Sequence, residues 1–334
     1  MAEELTKEYI GIMKAEKCEY IVRDGYKMID DEICDKGEFE RRYSLMETFD
    51  QTVQVLRYAT MLTFADMPLM YKMASSYAKK DLIPNVVTEK NRIDKMMRQL
   101  CSIGAIGKKR YVPVGEDNTD ESPLCTYFLT EHGIFLYKEK TWSEKFLEDR
   151  LIVKNEIEVM QRLAANFIML ETERMCGGRK VEFCRCEKIE NPKRRQIVYG
   201  TVEDDDMLAV FEPVFFRRNK LSGEYEEFEQ HVQKRPKFLK KFFEERAGDR
   251  RKILVFIVED SSNLKDAYFA YHEVVSDCDL VFVTHEVLMK VKPGQSEKMA
   301  PFLKVAPNMQ YAGKIDLKAV NPPFVLKKKS AVNK

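Results

Sequence analysis

The apolar periodicity of the sequence changes at Gly104, and this change limits the folds that the chain can adopt. The apolar positions before the glycine are Ile93, Met97, Leu100 and Ile103. Their spacings of 4, 3 and 3 are typical of one helix face, and a glycine commonly follows the last helical turn. After the glycine, Lys109–Val114 and Leu124–Leu129 have the length and composition of strands. The chain therefore predicts a helix followed by a hairpin.

Two further helices are predicted before this one. The first covers about 44–62, where apolar residues recur every three or four positions. The second starts near Asp66, a good N-cap, with Pro68 in the first turn, where its missing N–H costs little. Thr88 is the predicted N-cap of the third helix.

A fourth helix is predicted after the hairpin, capped by Thr130. The predicted elements follow the order of a winged helix-turn-helix: three helices, then a strand, a loop and a second strand. We therefore predict a winged-helix domain over residues 45–143. Residues 1–44 are predicted to form an N-terminal extension, in which 35–42 is a polar connector.

Basic residues are concentrated around the third helix. The whole chain has 56 Lys and Arg against 55 Asp and Glu, a formal net charge of +1. Between Lys79 and Arg110, nine basic residues stand against three acidic ones, so this segment carries +6. Because most affinity for DNA comes from phosphate contacts, a nearly neutral protein needs such local segregation of charge to bind nucleic acid.

The predicted DNA contacts lie on and around this third helix. On its outward face, Asn can bond adenine edges, and Arg or Lys can bond guanine. Backbone amides at its N-terminus can meet a phosphate, and the basic run at the base of the hairpin adds cations. The candidate contacts are Asn85, Thr88, Lys90, Asn91, Lys95, Arg98, Lys108, Lys109 and Arg110. An ordinary solvated helix face is the alternative interpretation.

The tip of the hairpin has the wrong charge for DNA. It carries no basic residue, and its acids are Glu116, Asp117, Asp120 and Glu121. Phosphates repel such a tip, so we expect it to stay out of the minor groove. A protein–protein adaptor that uses the winged helix to bind a basic partner is therefore kept as an alternative function.

A second domain is predicted over residues 144–291. Its elements follow the order α-β-β-β-α-β-α-β, which indicates a mixed sheet with helices on both faces. Ile253–Val258 is continuously apolar, as in a strand buried on both faces. One charged helix is predicted over 225–246, with a kink at Pro236. Residues 292–334 are predicted to form a mobile basic tail. The predicted fold class is α+β, a winged helix-turn-helix followed by a mixed-sheet α/β domain.

Two stretches of sequence resemble a known family. The run RIDKMMRQLCSIGAIGKKRYV, followed by a loop and YFLTEHGIFLY, is similar to winged-helix proteins. The stretch RKILVFIVEDSSNLKDAYFAYHEVVSDCDLVFVTHEVL resembles the α/β half of the replication-relaxation family of plasmid and conjugative-element proteins. This resemblance covers about residues 45–290. It implies a restriction-endonuclease-like core in the second domain and a role in a mobile genetic element.

An active endonuclease core needs carboxylates on adjacent strands, and a lysine, to hold Mg²⁺ and activate water. The acidic run Glu203–Asp206 can supply a first acid, but the next strand has Glu212-Pro213-Val214 in place of an E-x-K pattern. We therefore predict no catalytic residue and keep a metal-dependent nuclease as the alternative. Glu259–Ser262 is interpreted as a helix-entry loop rather than a ligand site.

No metal or cofactor is predicted. Cys176, Cys184 and Cys186 lie close together in sequence but lack the paired C-x₂-C spacing of structural zinc sites. The four histidines are dispersed, so neither a metal motif nor a Ser-His-Asp arrangement is evident.

The expected function is therefore non-enzymatic binding of double-stranded DNA, as an accessory or regulatory factor in replication, mobilisation or transcription of a mobile genetic element. The α/β domain is expected to form a homodimer or to contact replication or transfer proteins. The charged N-terminus and the lack of an 18-residue apolar window argue against a signal peptide or membrane span. Eight scattered cysteines favour a reducing cytoplasm.

Overall fold

A computed structural model describes most of the chain between residues 26 and 320. The described ranges are 26–45, 50–79, 89–115, 124–141, 156–175, 180–187, 196–215, 217–218, 225–226, 234–258, 267–283, 302–305 and 317–320. The chain divides into two compact units. The first comprises Val22–Asn166 and Phe183–Cys186, and the second comprises Met1–Ile21, Phe167–Glu182 and Glu187–Lys334.

The described residues 26–141 of the first unit form four strands and five helices. Strand β1 covers Tyr26–Asp30 and helix α1 covers Lys36–Ser44. Helix α2 follows at Asp50–Leu62, then the short strand β2 at Phe64–Ala65 and helix α3 at Met67–Lys79. Helix α4 is Lys90–Ser102, strands β3 and β4 are Ile106–Pro113 and Leu124–Leu129, and helix α5 is Glu131–Thr141.

Two of the three predicted helix caps are confirmed, and the third is wrong, because the N-cap of α4 is Glu89 rather than Thr88. The Asp66 carboxylate accepts a hydrogen bond from the Leu69 amide at 2.9 Å, which satisfies a donor at the start of α3. The Thr130 hydroxyl accepts from the Gly133 amide at 3.1 Å at the start of α5. Gly104 follows α4 with φ +75°, and a Cβ there would lie 2.5 Å from the Cys34 sulfur. The chain turns at this glycine because another residue would meet both strain and a clash.

The strands of the first unit form one antiparallel sheet in the order β1-β3-β4-β2. Helix α4 packs against β3, α2 and α3. The side chain of Asn166 donates to the carbonyls of Leu62 and Phe64, at 2.6 and 2.9 Å, where the chain leaves α2 and enters β2. This amide thus gives hydrogen bonds to two carbonyls of buried residues at the junction of α2 and β2.

Helix α6, Glu156–Met175, begins in the first unit and ends in the second. Strands β5, β6 and β7 follow at Lys180–Glu187, Gln196–Glu203 and Met207–Val214. The two-residue strands β8 and β9 are Arg217–Arg218 and Tyr225–Glu226, and helix α7 is Arg235–Arg246. Strands β10 to β13 are Arg251–Val258, Asp279–Val283, Phe302–Val305 and Leu317–Val320.

The second unit is built on a mixed sheet in the order β13-β12-β11-β10-β7-β6-β5. Strands β7, β10 and β11 are parallel, and the β6–β7, β11–β12 and β12–β13 pairs are antiparallel. One face of the parallel strands packs against α7 and residues 267–275. The other face meets α6, because Met169 lies against Gly200, the cross-strand partner of Phe211. The central strands are therefore covered on both sides, as their continuous apolar composition predicts.

The α+β class is confirmed, but three predicted segments are wrong. Residues predicted as a connector at 35–42 lie largely in α1, whose N-cap Asp35 accepts from the Glu38 amide at 2.9 Å. The single helix predicted over 225–246 is a strand at β9 and a helix that begins only at Arg235. Pro236 lies in its first turn and starts the helix instead of kinking it. The predicted mobile tail contributes β12 and β13 to the sheet.

Candidate nucleic-acid interface

Helix α4 has an apolar face and a polar face on opposite sides. Its buried residues are Ile93, Met96, Met97 and Leu100. Asn91, Lys95, Arg98 and Ser102 are exposed and lie at spacings of 4, 3 and 4, which places them along one stripe of the helix. Lys90 and Arg92 are exposed on the flanks of this stripe. The helix therefore presents an amide and several cations to solvent in a fixed register.

Asp94, the acidic residue of α4 beside this stripe, forms a hydrogen bond with the neighbouring helix. Tyr71 on α3 donates its hydroxyl hydrogen to the carboxylate of Asp94. Burial raises the pKa of Tyr71 to about 12, and its hydrogen bond to Asp94 acts in the same direction, so the phenol keeps its proton at neutral pH. The ammonium of Lys90 lies 5.2 Å from the centre of the Tyr71 ring. Contacts with Tyr71 of α3 thus hold two side chains on the polar side of α4, those of Asp94 and Lys90.

The three basic residues of β3 do not share a surface. Successive side chains of a strand point to opposite faces of the sheet. Lys109 pairs with Asp30 at 2.5 Å and lies 5.2 Å from the ring centre of Phe128. Lys108 and Arg110 are on the other face, where the side chain of Asp31 lies 3.8 and 2.7 Å from them. The predicted basic patch Lys108–Arg110 is therefore divided between the two faces of the sheet by the alternation of the strand.

The face of β3 and β4 that carries Lys108 and Arg110 lies beside α4. Cys101 on α4 is close to Lys108 and to Cys125 of β4. Burial raises the pKa of its thiol to about 12, and the Lys108 charge opposes that rise. Arg98 is four residues after Asp94 and three before Cys101, so it occupies the same side of the helix. Arg98, Lys108 and Arg110 therefore border one region of the first unit.

Sequence reasoning missed Asp31 and the strand before it. Residues Tyr26–Asp30 show no clean apolar alternation, and their partner β3 lies about 80 residues away, as the separation of 79 between hydrogen-bonded Lys109 and Asp30 illustrates. A count of charges restricted to residues 79–110 therefore omits Asp30 and Asp31, which form ion pairs with the three basic residues of β3. Asn85, Thr88 and the acidic hairpin tip over 116–121 lie outside the described residues.

In the second unit, the acids considered for a nuclease site are held in other interactions. Arg246 and Arg250 donate to the carboxylate of Glu203 at 2.8 and 3.2 Å, and Lys180 lies 3.1 Å from it. The carboxylate of Asp204 accepts from the backbone amides of Asp206 and Met207, which closes the turn before β7. The acidic run is therefore divided between an ion-pair network at Glu203 and a turn at Asp204–Asp206.

Glu212 is completely buried and is bound by Arg235. The guanidinium donates to both carboxylate oxygens, in one case at 2.8 Å, and also to the carbonyl of Ile197 at 2.9 Å. The hydroxyl of Tyr271 donates to the same carboxylate at 3.2 Å. Because these donors occupy both oxygens, Glu212 is arranged as a structural ion pair rather than as a metal ligand.

Within the described ranges, the structure brings together no group of three His, Cys, Asp or Glu residues that could hold a metal ion. The side chains of Cys176, Cys184 and Cys186, and the residues 259–262, lie outside the description. The four cysteines with described thiols are free: Cys34, Cys101, Cys125 and Cys278.

Comparisons with protein-family models, with curated proteins and with solved structures find no match to this chain. Of the helices that the structure describes, none has both the length and the apolar character that a membrane crossing requires. Inferences about function therefore rest on the two units and their surfaces.

Proposed function

We propose that the first unit is a winged-helix domain that binds double-stranded DNA with α4 in the major groove. The observation that carries this proposal is the stripe Asn91, Lys95 and Arg98, which lies opposite the buried face of α4. A recognition helix needs such a division, because one face must be fixed by a core while the other reaches base edges and phosphates. The order of α2, α3, α4, β3 and β4 supports the same class of domain.

The chemistry of the stripe suits duplex DNA. An Asn amide can form paired hydrogen bonds with adenine, and an Arg guanidinium can do so with guanine. Lys95 and the flanking Lys90 and Arg92 provide charge for phosphates. The hydrogen bond from Tyr71 holds the carboxylate of Asp94, which limits its freedom to swing toward the DNA.

The proposed role of the second unit is non-catalytic. Its mixed sheet is compatible with an endonuclease-like core, but Glu203 and Glu212 are bound by arginines. We infer that this unit mediates self-association or contact with replication or transfer proteins. The resemblance to replication-relaxation proteins extends the proposal to an accessory role in a mobile genetic element, in a reducing cytoplasm compatible with the free thiols.

The test of DNA binding compares two charge-matched double variants of the full chain. Lys95→Ala with Arg98→Ala removes two cations from the stripe of α4. We expect it to weaken binding of a random-sequence duplex at least tenfold and to lower the salt slope of log K by about 2, because two phosphate or base contacts are lost. The measurement is fluorescence anisotropy across a salt series, with duplexes of random sequence and from DNA flanking the gene.

The control is Lys237→Ala with Lys240→Ala, which removes the same charge from exposed positions on α7. Its affinity should stay within about twofold of the unaltered protein, since α7 belongs to the other unit. An equal loss of DNA affinity in both double variants would mean that the effect comes from net charge alone and not from the stripe of α4. No salt-sensitive binding by the unaltered chain would overturn the proposed function.

A further inference from the structure

Asp31 makes the same contacts that a phosphate group would make. One carboxylate oxygen accepts from Nε of Arg110 at 2.7 Å, and the other lies 3.8 Å from the ammonium of Lys108. Two cations around one anion is a common arrangement at phosphate-binding sites. All three side chains are partly open to solvent, with 31, 23 and 37% of the side chains of Asp31, Arg110 and Lys108 exposed. A competing anion can therefore reach the same atoms.

The position of these cations connects them with α4. Lys108 and Arg110 lie on the sheet face that carries Cys125 and Tyr127, the face that adjoins Cys101 of α4. Burial raises the pKa of the Cys125 thiol, and the nearby charges of Lys108 and Arg110 oppose this rise, in line with their position on the same face. Arg98 is on the adjoining side of the helix. A duplex bound by α4 as proposed would therefore pass close to the base of the hairpin.

We propose that Lys108 and Arg110 form a phosphodiester-binding subsite, which the carboxylate of Asp31 occupies in the unbound protein. This inference rests on the proposed function and deepens it. When DNA binds, a backbone phosphate takes the place of the carboxylate, and no covalent bond changes. Asp31 thereby lowers the affinity for every polyanion, and a ligand that also engages α4 offsets this loss with its further contacts, whereas one that meets only the hairpin does not.

The neighbouring pair Asp30 and Lys109 offers a matched control. Asp30→Asn and Asp31→Asn remove one negative charge each from adjacent positions of the same segment. Asp30 faces the side of the sheet that holds Phe128, whereas Asp31 faces Lys108 and Arg110. A general electrostatic effect changes both variants equally, and a subsite responds only to Asp31→Asn. Both carboxylates are partly exposed, and Asn preserves their shape, so both variants are expected to fold.

The experiment measures duplex binding by the full-length variants at about 100 mM salt. We expect Asp31→Asn to tighten binding about tenfold, because a phosphate no longer has to displace a carboxylate from Lys108 and Arg110. Asp30→Asn should change affinity less than twofold. Addition of Lys108→Ala and Arg110→Ala to Asp31→Asn should abolish the gain. Equal affinities of the Asp30→Asn and Asp31→Asn variants would overturn the subsite.

A second readout separates this inference from the proposed function. Inorganic phosphate is titrated into each variant while the backbone amide resonances of residues 108–110 are followed by NMR. Shifts that appear with Asp31→Asn and not with Asp30→Asn support the subsite even where no duplex binds, in which case the proposed function fails alone. If duplex binding depends on Lys95 and Arg98 but Asp31→Asn matches Asp30→Asn, the subsite fails alone. Where no duplex binds and phosphate shifts neither variant, both are overturned.

Discussion

Glu203 shows how neighbours decide the behaviour of a single carboxylate. Its side chain is 11% exposed, and burial alone raises the pKa of a carboxyl. Hydrogen bonds from Arg246 and Lys180, with support from Arg250, outweigh burial and lower the pKa of Glu203 from 4.5 to about 2. The carboxylate is therefore charged at any physiological pH and contributes to stability through this ion-pair network.

This shift predicts a pH-dependent stability. The pKa of Glu203 is lower in the folded protein than in the unfolded chain, so its contribution is complete above about pH 4.5 and is lost as the pH falls toward 2. We expect Glu203→Gln to lower the free energy of unfolding at pH 7 by on the order of 2 kcal/mol. The difference from the unaltered protein should narrow between pH 4.5 and 3. Urea unfolding at several pH values measures it.

Glu245→Gln on α7 is the matched control, because Glu245 is exposed. It should have little effect at any of these pH values. A constant deficit of the Glu203→Gln variant from pH 7 to pH 3 would contradict the assignment of the ion-pair network as the source of the stability.

At the scale of elements, the buried ion pair joins a helix to the sheet. Arg235 lies in the first turn of α7. Glu212 lies near the end of β7, on the face of the sheet that packs against α7. The ring centres of Tyr199 and Phe238 lie 5.8 and 5.0 Å from the guanidinium carbon. Burial raises the pKa of Tyr271 well above its ordinary value, so the phenol remains a hydrogen-bond donor to Glu212.

This arrangement predicts an asymmetric response to substitution. Arg235→Met leaves the Glu212 carboxylate buried without its cation, and should destabilise the second unit by about 3–5 kcal/mol. Glu212→Met combined with Arg235→Met removes both charges, and should recover a large part of this loss. Urea unfolding of both variants and of Lys240→Met, an exposed position of α7, measures the difference. A double variant less stable than Arg235→Met would contradict this account.

At the scale of the whole molecule, the proposed affinity for DNA depends on how charge is distributed. The net charge is +1, so the average field around the protein attracts a polyanion only weakly. The exposed bases of α4 are Lys90, Arg92, Lys95 and Arg98, four cations on one helix. Binding that depends on this helix should be sensitive to salt, but less so than binding by a polycation.

A quantitative expectation follows for the unaltered protein. Four phosphate contacts predict a slope of log K against log salt of about −3 to −4. Affinity should then fall roughly a hundredfold between 50 and 200 mM salt. Anisotropy titrations of a duplex at five salt concentrations give the slope. A slope between about −4 and −6 would indicate that Lys108 and Arg110 also contact phosphates once Asp31 is displaced, and a steeper slope would imply contacts by bases outside α4 and β3.

The sequence by itself determined the elements whose signals are local. The caps Asp66 and Thr130, the turn at Gly104 and the buried strand β10 follow from residues within one or two turns of each other, and the structure confirms them. Helix α4 also follows from the sequence, because its apolar spacing alone assigns Asn91, Lys95 and Arg98 to the solvent side.

Only the tertiary structure decided which charges meet. The pairs of Asp31 with Lys108 and Arg110, and of Glu212 with Arg235, join residues 77, 79 and 23 positions apart, and no local pattern encodes such separations. The addition of β12 and β13 to the sheet is equally non-local, because an edge strand is stabilised by hydrogen bonds to a neighbour rather than by its own composition. The sequence gives the number of charged residues. The fold determines which of them pair with each other and which can contact a ligand.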